Sequence, residues 1–453
     1  MGFKPEISDF YARLSSDPLT MAFAEEKKAM PSLARMQRQP PEWKGGSFAE
    51  FGPEAFMARP ERPLALYVHV PFCHHHCTFC PFYINQTKKD FSKEYASLLL
   101  KEIVDTAHVL REVVDKRSVD AIYFGGGTPS DLDRDDMAAV IRALHDCFRI
   151  SPEAEVTVEG RTTGFTAEKG KAWVEAGANR FSLGVQSANT ALRKKLGRIS
   201  SREEVGETLN GLCESGASVV IDLMYGLPGQ DIPMLLDDIR YISEETDIAG
   251  LDLYELRCFP DSPLDKAIQR GKMPMLPEFH EKARMFGAAY ARLYDYGFEH
   301  FSPKHWRRNR RERSLYNRLA GRQTDMIPFG SAAGGRLGTI GLGTARDIAS
   351  YTEMVERGEK PLSRIAFSPL SVDRGGFSHE LDIAMESLRL PDIGKWPVSY
   401  RESGKKLLAQ WKEAGLLADS SDGKGMSLTC AGFFWSDRLK KLLADFVAVP
   451  VAG

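Results

Sequence analysis

Residues 73–83 read CHHHCTFCPFY. Cys73, Cys77 and Cys80 form a C-x3-C-x2-C set, and no fourth cysteine follows at matching spacing. The chain of 453 residues carries seven cysteines, an odd number, which indicates thiols and not a disulfide framework. The others, Cys147, Cys213, Cys258 and Cys430, stand singly and make no second pair. Zinc closes a tetrahedron with four ligands, commonly from two close pairs. A cubane iron–sulfur cluster fits this spacing better. Three thiolates hold three irons and leave the fourth open, whereas a set of four would close the cluster for electron transfer alone. The run His74–His76 is an alternative source of zinc ligands, since short His-rich tracts bind metals. The simpler reading makes these histidines loop residues beside the cluster.

Composition bounds the rest. The length allows two or three domains and a large core. Charged and apolar fractions are ordinary, and a net charge of -2 gives no global nucleic-acid signal. The N-terminal MGFKPEISDFYARL carries acids and has no apolar h-region, so it does not read as a signal peptide. Gly2 lacks the Ser or Thr of a myristoylation site. No apolar run is long enough to span a bilayer. The expected location is the cytoplasm.

Working outward from the cysteines, short apolar runs recur: LALYVHV from Leu64, VDAIYF from Val119, EVTVE from Glu155, RFSLGV from Arg180, SVVIDLM from Ser218 and GLDLYEL from Gly250. They are rich in β-branched and aromatic residues and read as strands. Between them lie helical patterns such as SKEYASLLLKEIVDTAHVL, DMAAVIRALHDCF and PMLLDDIRYISEE. Alternation of this kind predicts a parallel sheet of the α/β class. Six βα units point to a barrel or partial barrel, with a doubly wound sheet as the alternative.

The polar residues gather at the strand ends. The cysteines follow the first strand and GGGTP the second; Glu159 ends the third and Gln186 the fourth; Asp222 lies late in the fifth, and Glu255 and Arg257 end the sixth. In βα barrels the site lies at the C-terminal strand ends. Singly, each has a plain reading. Gly125–Gly127 with Thr128 also suits an ordinary turn, and it is not a dinucleotide fingerprint. Glu159 suits a surface carboxylate or a ribose, Gln186 a satisfied core amide, Arg198 a solvated cation and YGLPGQ from Tyr225 a turn. Asp222 stands between apolar neighbours, where an unpartnered acid is costly.

The segments YVHVPFCHHHCTFC, FGGGTPS, VEG, SLGVQSANTALRKKLGR and IDLMYGLPGQ, in this order, resemble the HemN-like branch of radical S-adenosylmethionine (SAM) enzymes. The match runs from about Tyr67 to Asp261, with weaker similarity to the C-terminus. The resemblance implies a partial (β/α)6 barrel, a [4Fe–4S] cluster on Cys73, Cys77 and Cys80, and SAM chelating the open iron. Reductive cleavage of SAM would then leave a 5'-deoxyadenosyl radical. By motif match, Tyr67, Gly126, Gly127, Thr128 and Glu159 would hold this SAM. Gln186, Arg198, Asp222 and Arg257 would hold a second, with Gln186, Arg198 and Asp222 as the catalytic set.

Departures narrow the branch. Phe82 stands where coproporphyrinogen dehydrogenases carry a further cysteine, and EGRTTG follows no Asn-Pro or Asp-Pro pattern. SDPLTMAF (residues 16–23), CPFY and IPFGSAAGG (residues 327–335) are similar to the HutW/ChuW group of haem-utilisation proteins. That resemblance implies anaerobic methylation and opening of haem to a linear tetrapyrrole with iron release, as in an anaerobilin synthase. It also implies a low-potential donor such as flavodoxin, and a haem-binding partner protein is a further expectation. The rival readings are a coproporphyrinogen dehydrogenase or another radical methyltransferase, and a haem carrier of the HemW type. The basic segment HFSPKHWRRNRRERSLYN (residues 300–317) reads as a solvated face, or as a contact for haem propionates or an acidic donor, with His300 or His305 as a less favoured axial ligand. No stacking platform accompanies it, so nucleic acid is not expected. The expected divisions are an N-terminal extension (1–60), the barrel (61–300), an accessory region (301–378) and a mostly helical, winged-helix-like C-terminal domain (379–453).

Overall fold

Every apolar run named above folds as a strand: β1 (Leu64–Val70), β2 (Val119–Gly126), β3 (Ile150–Arg161), β4 (Arg180–Gln186), β5 (Ser218–Tyr225) and β6 (Gly250–Glu255). The computed structural model describes residues 11–23, 47–81, 85–86, 91–320, 324–367, 389–390, 394, 396, 398–420 and 425–448. The six strands pair in parallel and in sequence order. Helices return the chain between them, as right-handed crossovers require. They include α1 (Phe91–Val109), α2 (Arg134–Cys147), α3 (Ala167–Glu175), α4 (Arg202–Cys213) and α5 (Ile232–Glu245). The doubly wound alternative is thereby set aside, because strand order follows chain order without a switch point.

Side chains alternate across each strand. In β1, Leu64, Leu66, Val68 and Val70 are buried in the main core together with α1 residues Leu99 and Ile103. Ala65 and Tyr67 point to the other face, where Tyr123 of β2 and Tyr316 join them. There Tyr123 stacks on Tyr316 at 4.2 Å between ring centroids, and Tyr67 stacks on Tyr123 at 6.4 Å. Local caps fix the helix starts. Ser201 and Glu204 form a reciprocal capping box on α4, and Asp231 accepts from Met234 N–H on α5.

Beyond residue 300 the chain extends this same sheet. Strands β7 (Glu299–His300) and β8 (His305–Arg307) add antiparallel beside β6. Strand β9 (Asp325–Phe329) pairs parallel to β1, and β10 (Gly334–Leu337), β11 (Ile340–Thr344) and β12 (Leu362–Phe367) continue antiparallel from it. The result is one sheet of 12 strands. Much of the stretch 301–378 is therefore the two flanks of the barrel sheet. The IPFGSAAGG segment forms the end of β9, the turn after it and the start of β10. Gly330 sits there at φ +86, and a Cβ on it would stand 2.3 Å from the carbonyl oxygen of His69.

A smaller unit ends the chain. Its antiparallel sheet orders Arg389–Leu390, Met426–Leu428 and Leu417–Asp419, with helices α6 (Val398–Glu413), α7 (Cys430–Phe434) and α8 (Ser436–Ala448). The boundary drawn at residues 378 and 379 falls outside the described residues. The SDPLTMAF stretch is a strap on this unit. Trp435 Nε1 donates to the carbonyls of Pro18 and Leu19 at 3.1 Å each, and Phe23 meets the Trp435 ring edge-on.

Candidate active site

The cysteine loop leaves β1 and is fixed by backbone bonds to two distant segments: Thr78 N–H donates to Leu196 O and Leu264 N–H to Thr78 O. Gly197, at φ +80, lets the LGR turn touch this loop; a Cβ there would lie 2.9 Å from the His76 carbonyl oxygen. Cys73 and Cys77 are buried, Cys80 is half-buried, and all three are free thiols lining one cavity of about 310 Å³. Its other walls include Gly126, Gly127, Thr128, Glu159, Gln186, Arg198 and Asp222. Residues from four strand ends and two loops thus meet the thiols, as their positions in the sequence predict.

Cys73 is held from behind. Thr128 Oγ1 donates to its sulfur at 3.2 Å, and the same oxygen accepts from Arg161 Nε and Nη2 at 2.9 and 2.7 Å. Burial raises the Cys73 thiol, with the Thr128 bond and Arg161 opposing. Arg161 was not among the expected residues. Its signal lay in the strand period: it stands two residues after Glu159, on the same face of β3.

Glu159 is half-buried and accepts a short hydrogen bond from Tyr123 Oη. Burial raises its pKa, against the Tyr123 and Gly126 hydrogen bonds. Asp222 keeps its proton well above the usual carboxylate range, chiefly through burial, then through the nearby Asp252 and Glu159 charges. Gln186 has a non-glycine φ of +70 beside a register break between β4 and β5. A bulge there re-aims a side chain, and such strain clusters at functional sites. Arg198 Nη1 donates to Gly184 O at 2.9 Å, its guanidinium lies 6.0 Å from the Phe79 ring centroid, and its buried Nε has no partner among the described residues.

Two expected SAM residues stand elsewhere. Tyr67 is in the aromatic stack behind the cavity, with its hydroxyl 2.8 Å from His69 Nδ1. Arg257 lines a second cavity of about 430 Å³ and pairs with Asp437 of α8. The two cavities adjoin, since Phe79 and Cys80 line both. His75 and His76 border the thiol cavity, while His74 turns to Asp131 at 2.9 Å. Phe82 lies outside the described residues.

The basic segment divides. Arg307 pairs with Glu299, Arg308 donates to the carbonyls of Ser243 and Thr246, and Arg311 donates to Gly216 O. Asn309 and Arg311 line a cleft with Ser218, the first residue of β5. These arginines therefore sit at the strand starts, opposite the thiol cavity. Lys304 alone of the segment's cations lines the second cavity. His305 is buried between Asp252 and Glu312, and His300 stacks on Trp306 at 4.1 Å. Both are core residues, not ligands presented to a cavity.

The donor set fits a three-thiolate cluster. Three free thiols converge without a fourth, and among the described residues no group of three or more His, Cys, Asp or Glu is placed to hold a single metal ion. A cubane gives each thiolate its own iron. The acids and arginines beside them fit a zwitterionic, ribose-bearing ligand.

Fold and site define an enzyme of the radical SAM superfamily, and residues 67–242 match that superfamily's family model. The anaerobilin synthase of Escherichia coli O157:H7 is 36% identical over 395 residues, 86% of either chain. The heme chaperone HemW of Buchnera aphidicola is 32% identical over 203 residues, 44% of this chain and 52% of that one. The solved structure of the Escherichia coli coproporphyrinogen III oxidase HemN superposes with a TM-score of 0.71 at 23% identity, covering 92% of this chain and 99% of that one. The chain belongs to the HemN-like radical SAM family that includes anaerobilin synthase. Such enzymes use a [4Fe–4S] cluster and SAM. No described helix is long and apolar enough to cross a membrane.

Proposed function

We propose that this chain methylates haem and opens it, without oxygen, to a linear tetrapyrrole with release of iron. The observation that carries this reading is the adjacency of the two cavities: the thiol-lined one shares Phe79 and Cys80 as wall residues with a larger, aromatic-walled one. Similarity to an anaerobilin synthase at 36% identity over 86% of both chains supports it, whereas a haem chaperone that matches 64% of this chain does so at 26% identity and one at 32% identity matches 44%.

When bound, the reduced cluster and SAM supply one-electron carbon–sulfur cleavage and a transferable methyl group. Cys73, Cys77 and Cys80 would hold the cluster, with Thr128 orienting Cys73 and Arg161 orienting Thr128. Glu159 and the backbone of Gly126 and Gly127 would hold the SAM on it. Gln186, Arg198 and Asp222 would hold a second SAM; Arg198 offers its unpartnered Nε, and Asp222 is able to donate the proton it retains. Tyr67 acts behind this site, by packing Tyr123, which in turn holds Glu159.

The barrel (61–300) would carry the chemistry, residues 301–378 its flanks, and the C-terminal unit (379–453) the cover of the larger cavity, with the N-terminal extension (1–60) strapping that cover down. A low-potential donor such as flavodoxin would supply electrons, and a haem-binding protein would receive or deliver substrate, in the cytoplasm. The test is anaerobic incubation of the reconstituted, reduced enzyme with methyl-labelled SAM and haem, followed by mass spectrometry. Loss of haem with a labelled linear pigment is expected. Efficient conversion of coproporphyrinogen with haem left intact would give the dehydrogenase reading; haem bound but unchanged, while SAM is cleaved, would give the carrier.

A further inference from the structure

The larger cavity has walls of Phe79, Tyr254, Phe259, Phe286, Phe433 and Phe434, and two cations at its border, Arg257 and Lys304. Both cations converge on one oxygen, Asp437 Oδ2, at 2.8 and 3.4 Å. All three side chains are roughly half exposed, so the pairing is weak and exchangeable. The remaining acid of the border, Glu255, is engaged by Lys282 at 3.1 Å. Within the lining the two cations and the two acids balance, but Glu255 is held by Lys282 from outside it, so displacing Asp437 leaves Arg257 and Lys304 without an acid. An aromatic-walled cavity bordered by an exchangeable cation pair suits a large aromatic ligand bearing carboxylates.

We propose that Arg257 and Lys304 take the propionate carboxylates of the tetrapyrrole, and that Asp437 occupies this cation pair until the ligand displaces it. The inference rests on the haem reading above and assigns its substrate contacts. Asp437 lies in the first turn of α8, so a helix N-terminus stabilises its charge once the cations let go. The exchange removes a polar link between β6 and the C-terminal unit but leaves the aromatic contacts, such as Phe286 on Phe434 at 5.6 Å. A second SAM also carries a carboxylate. The aromatic walls favour the tetrapyrrole, and the test separates the two.

The measurement is anaerobic absorbance titration of cluster-loaded, unreduced enzyme with haem, alongside equilibrium dialysis with SAM. Arg257→Gln and Lys304→Gln should each weaken haem binding about tenfold, the effect of losing one charge-assisted bond. Asp437→Asn should tighten it, a gain that misfolding does not produce. Protoporphyrin dimethyl ester, which lacks the carboxylates, should bind wild type and Arg257→Gln alike. Unchanged haem affinity in both cation variants, weaker binding in Asp437→Asn, or wild type that binds no haem would overturn the proposal. Loss of one bound SAM in Arg257→Gln with haem affinity intact would overturn it in favour of the second SAM. Wild type that binds haem with this pattern but never consumes it would leave the contacts standing and sink the haem-opening reading instead.

Discussion

Arg161 grips Thr128 with two nitrogens, Nε at 2.9 Å and Nη2 at 2.7 Å, on the hydroxyl that itself points at the Cys73 sulfur. One hydroxyl has one proton. With both guanidinium donors filling its lone pairs, that proton is committed to the sulfur. Arg161 therefore sets the orientation of Thr128, and through it the thiol nearest the βα turn.

Arg161→Met should loosen the cluster without unfolding the barrel. Residues behind metal ligands are typically worth about tenfold or more in metal affinity. Iron release to a chelator under anaerobic conditions should quicken by about that factor, and Arg161→Lys should recover part of the loss. Equal release rates in wild type and Arg161→Met would show that Thr128 holds Cys73 unaided.

Gly184→Ala should damage SAM binding more than folding. An added Cβ would lie 2.7 Å from Gln186 Nε2 and 3.0 Å from Arg198 Nη2. Crowding of this order costs about 1–3 kcal/mol when it cannot relax, or about tenfold in affinity. Both atoms are the ends of flexible side chains that line the thiol cavity, so the crowding is relieved by turning Gln186 and Arg198 out of their present positions, at the cost of the ligand and not of the fold. Equilibrium dialysis should show weaker SAM binding with a near-wild-type unfolding midpoint. Unaltered dialysis would place SAM away from Gly184.

Much of this was legible because period and position carry it. The strands announced themselves through β-branched runs, and strand-end polar residues such as Glu159 and Gln186 did meet the thiols. What escaped depends on long-range pairing. The Ile327 run is not among the strands read from the sequence, yet it pairs with β1 across more than two hundred residues and carries the sheet outward. Arg257 reads as a residue at the end of the sixth strand, and its side chain leans to Asp437, a partner 180 residues away. The basic segment read as one patch, whereas antiparallel β8 runs toward the start of β6, taking the arginines to the strand starts and leaving Lys304 at the other end. The discriminating Phe82 lies outside the described residues, so its place near the thiols is a sequence inference alone.

The IPFGSAAGG turn rests on a buried ion pair, which gives a stability prediction. Lys360 Nζ stands 2.9 Å from Glu102 Oε1, and both side chains are almost fully buried. Glu102 Oε2 also accepts from Gly330 N–H and Tyr351 Oη at 2.8 and 2.7 Å. Lys360→Met leaves a buried carboxylate without its cation and should cost about 3–5 kcal/mol. Changing Glu102 to Gln in the same chain should restore part of it, since the amide still accepts from Gly330 and Tyr351. Urea unfolding of the two variants checks this; equal losses would mean that the packing of Lys360 over the Phe329 ring, and not its charge, is what matters.

The last prediction concerns pH and the pair of acids around His305. Burial alone would lower the pKa of this imidazole, but Asp252 at 3.1 Å and Glu312 at 3.2 Å outweigh it and push it up to about 9. Glu312 is held well below the carboxylate range: burial opposes, while Arg180 and His305 prevail. The folded state thus binds the His305 proton more tightly than the unfolded chain does. Its contribution is fully present below the ordinary histidine pKa of about 6.5 and is lost as pH rises through about 9. The shift corresponds to something on the order of 3 kcal/mol. His69 and His300 run the other way. Burial lowers them to about 4 and about 3, so their contributions are lost as pH falls below about 6.5. Asp222, whose pKa burial raises, also loses stability as pH rises, which makes the raw wild-type curve composite. The informative quantity is the difference between wild type and His305→Gln in urea midpoint at several pH values. That difference should be large near pH 6 and shrink toward pH 9. A difference that stays constant across this range would mean that His305 is neutral in the folded protein and that Arg180 alone satisfies Glu312.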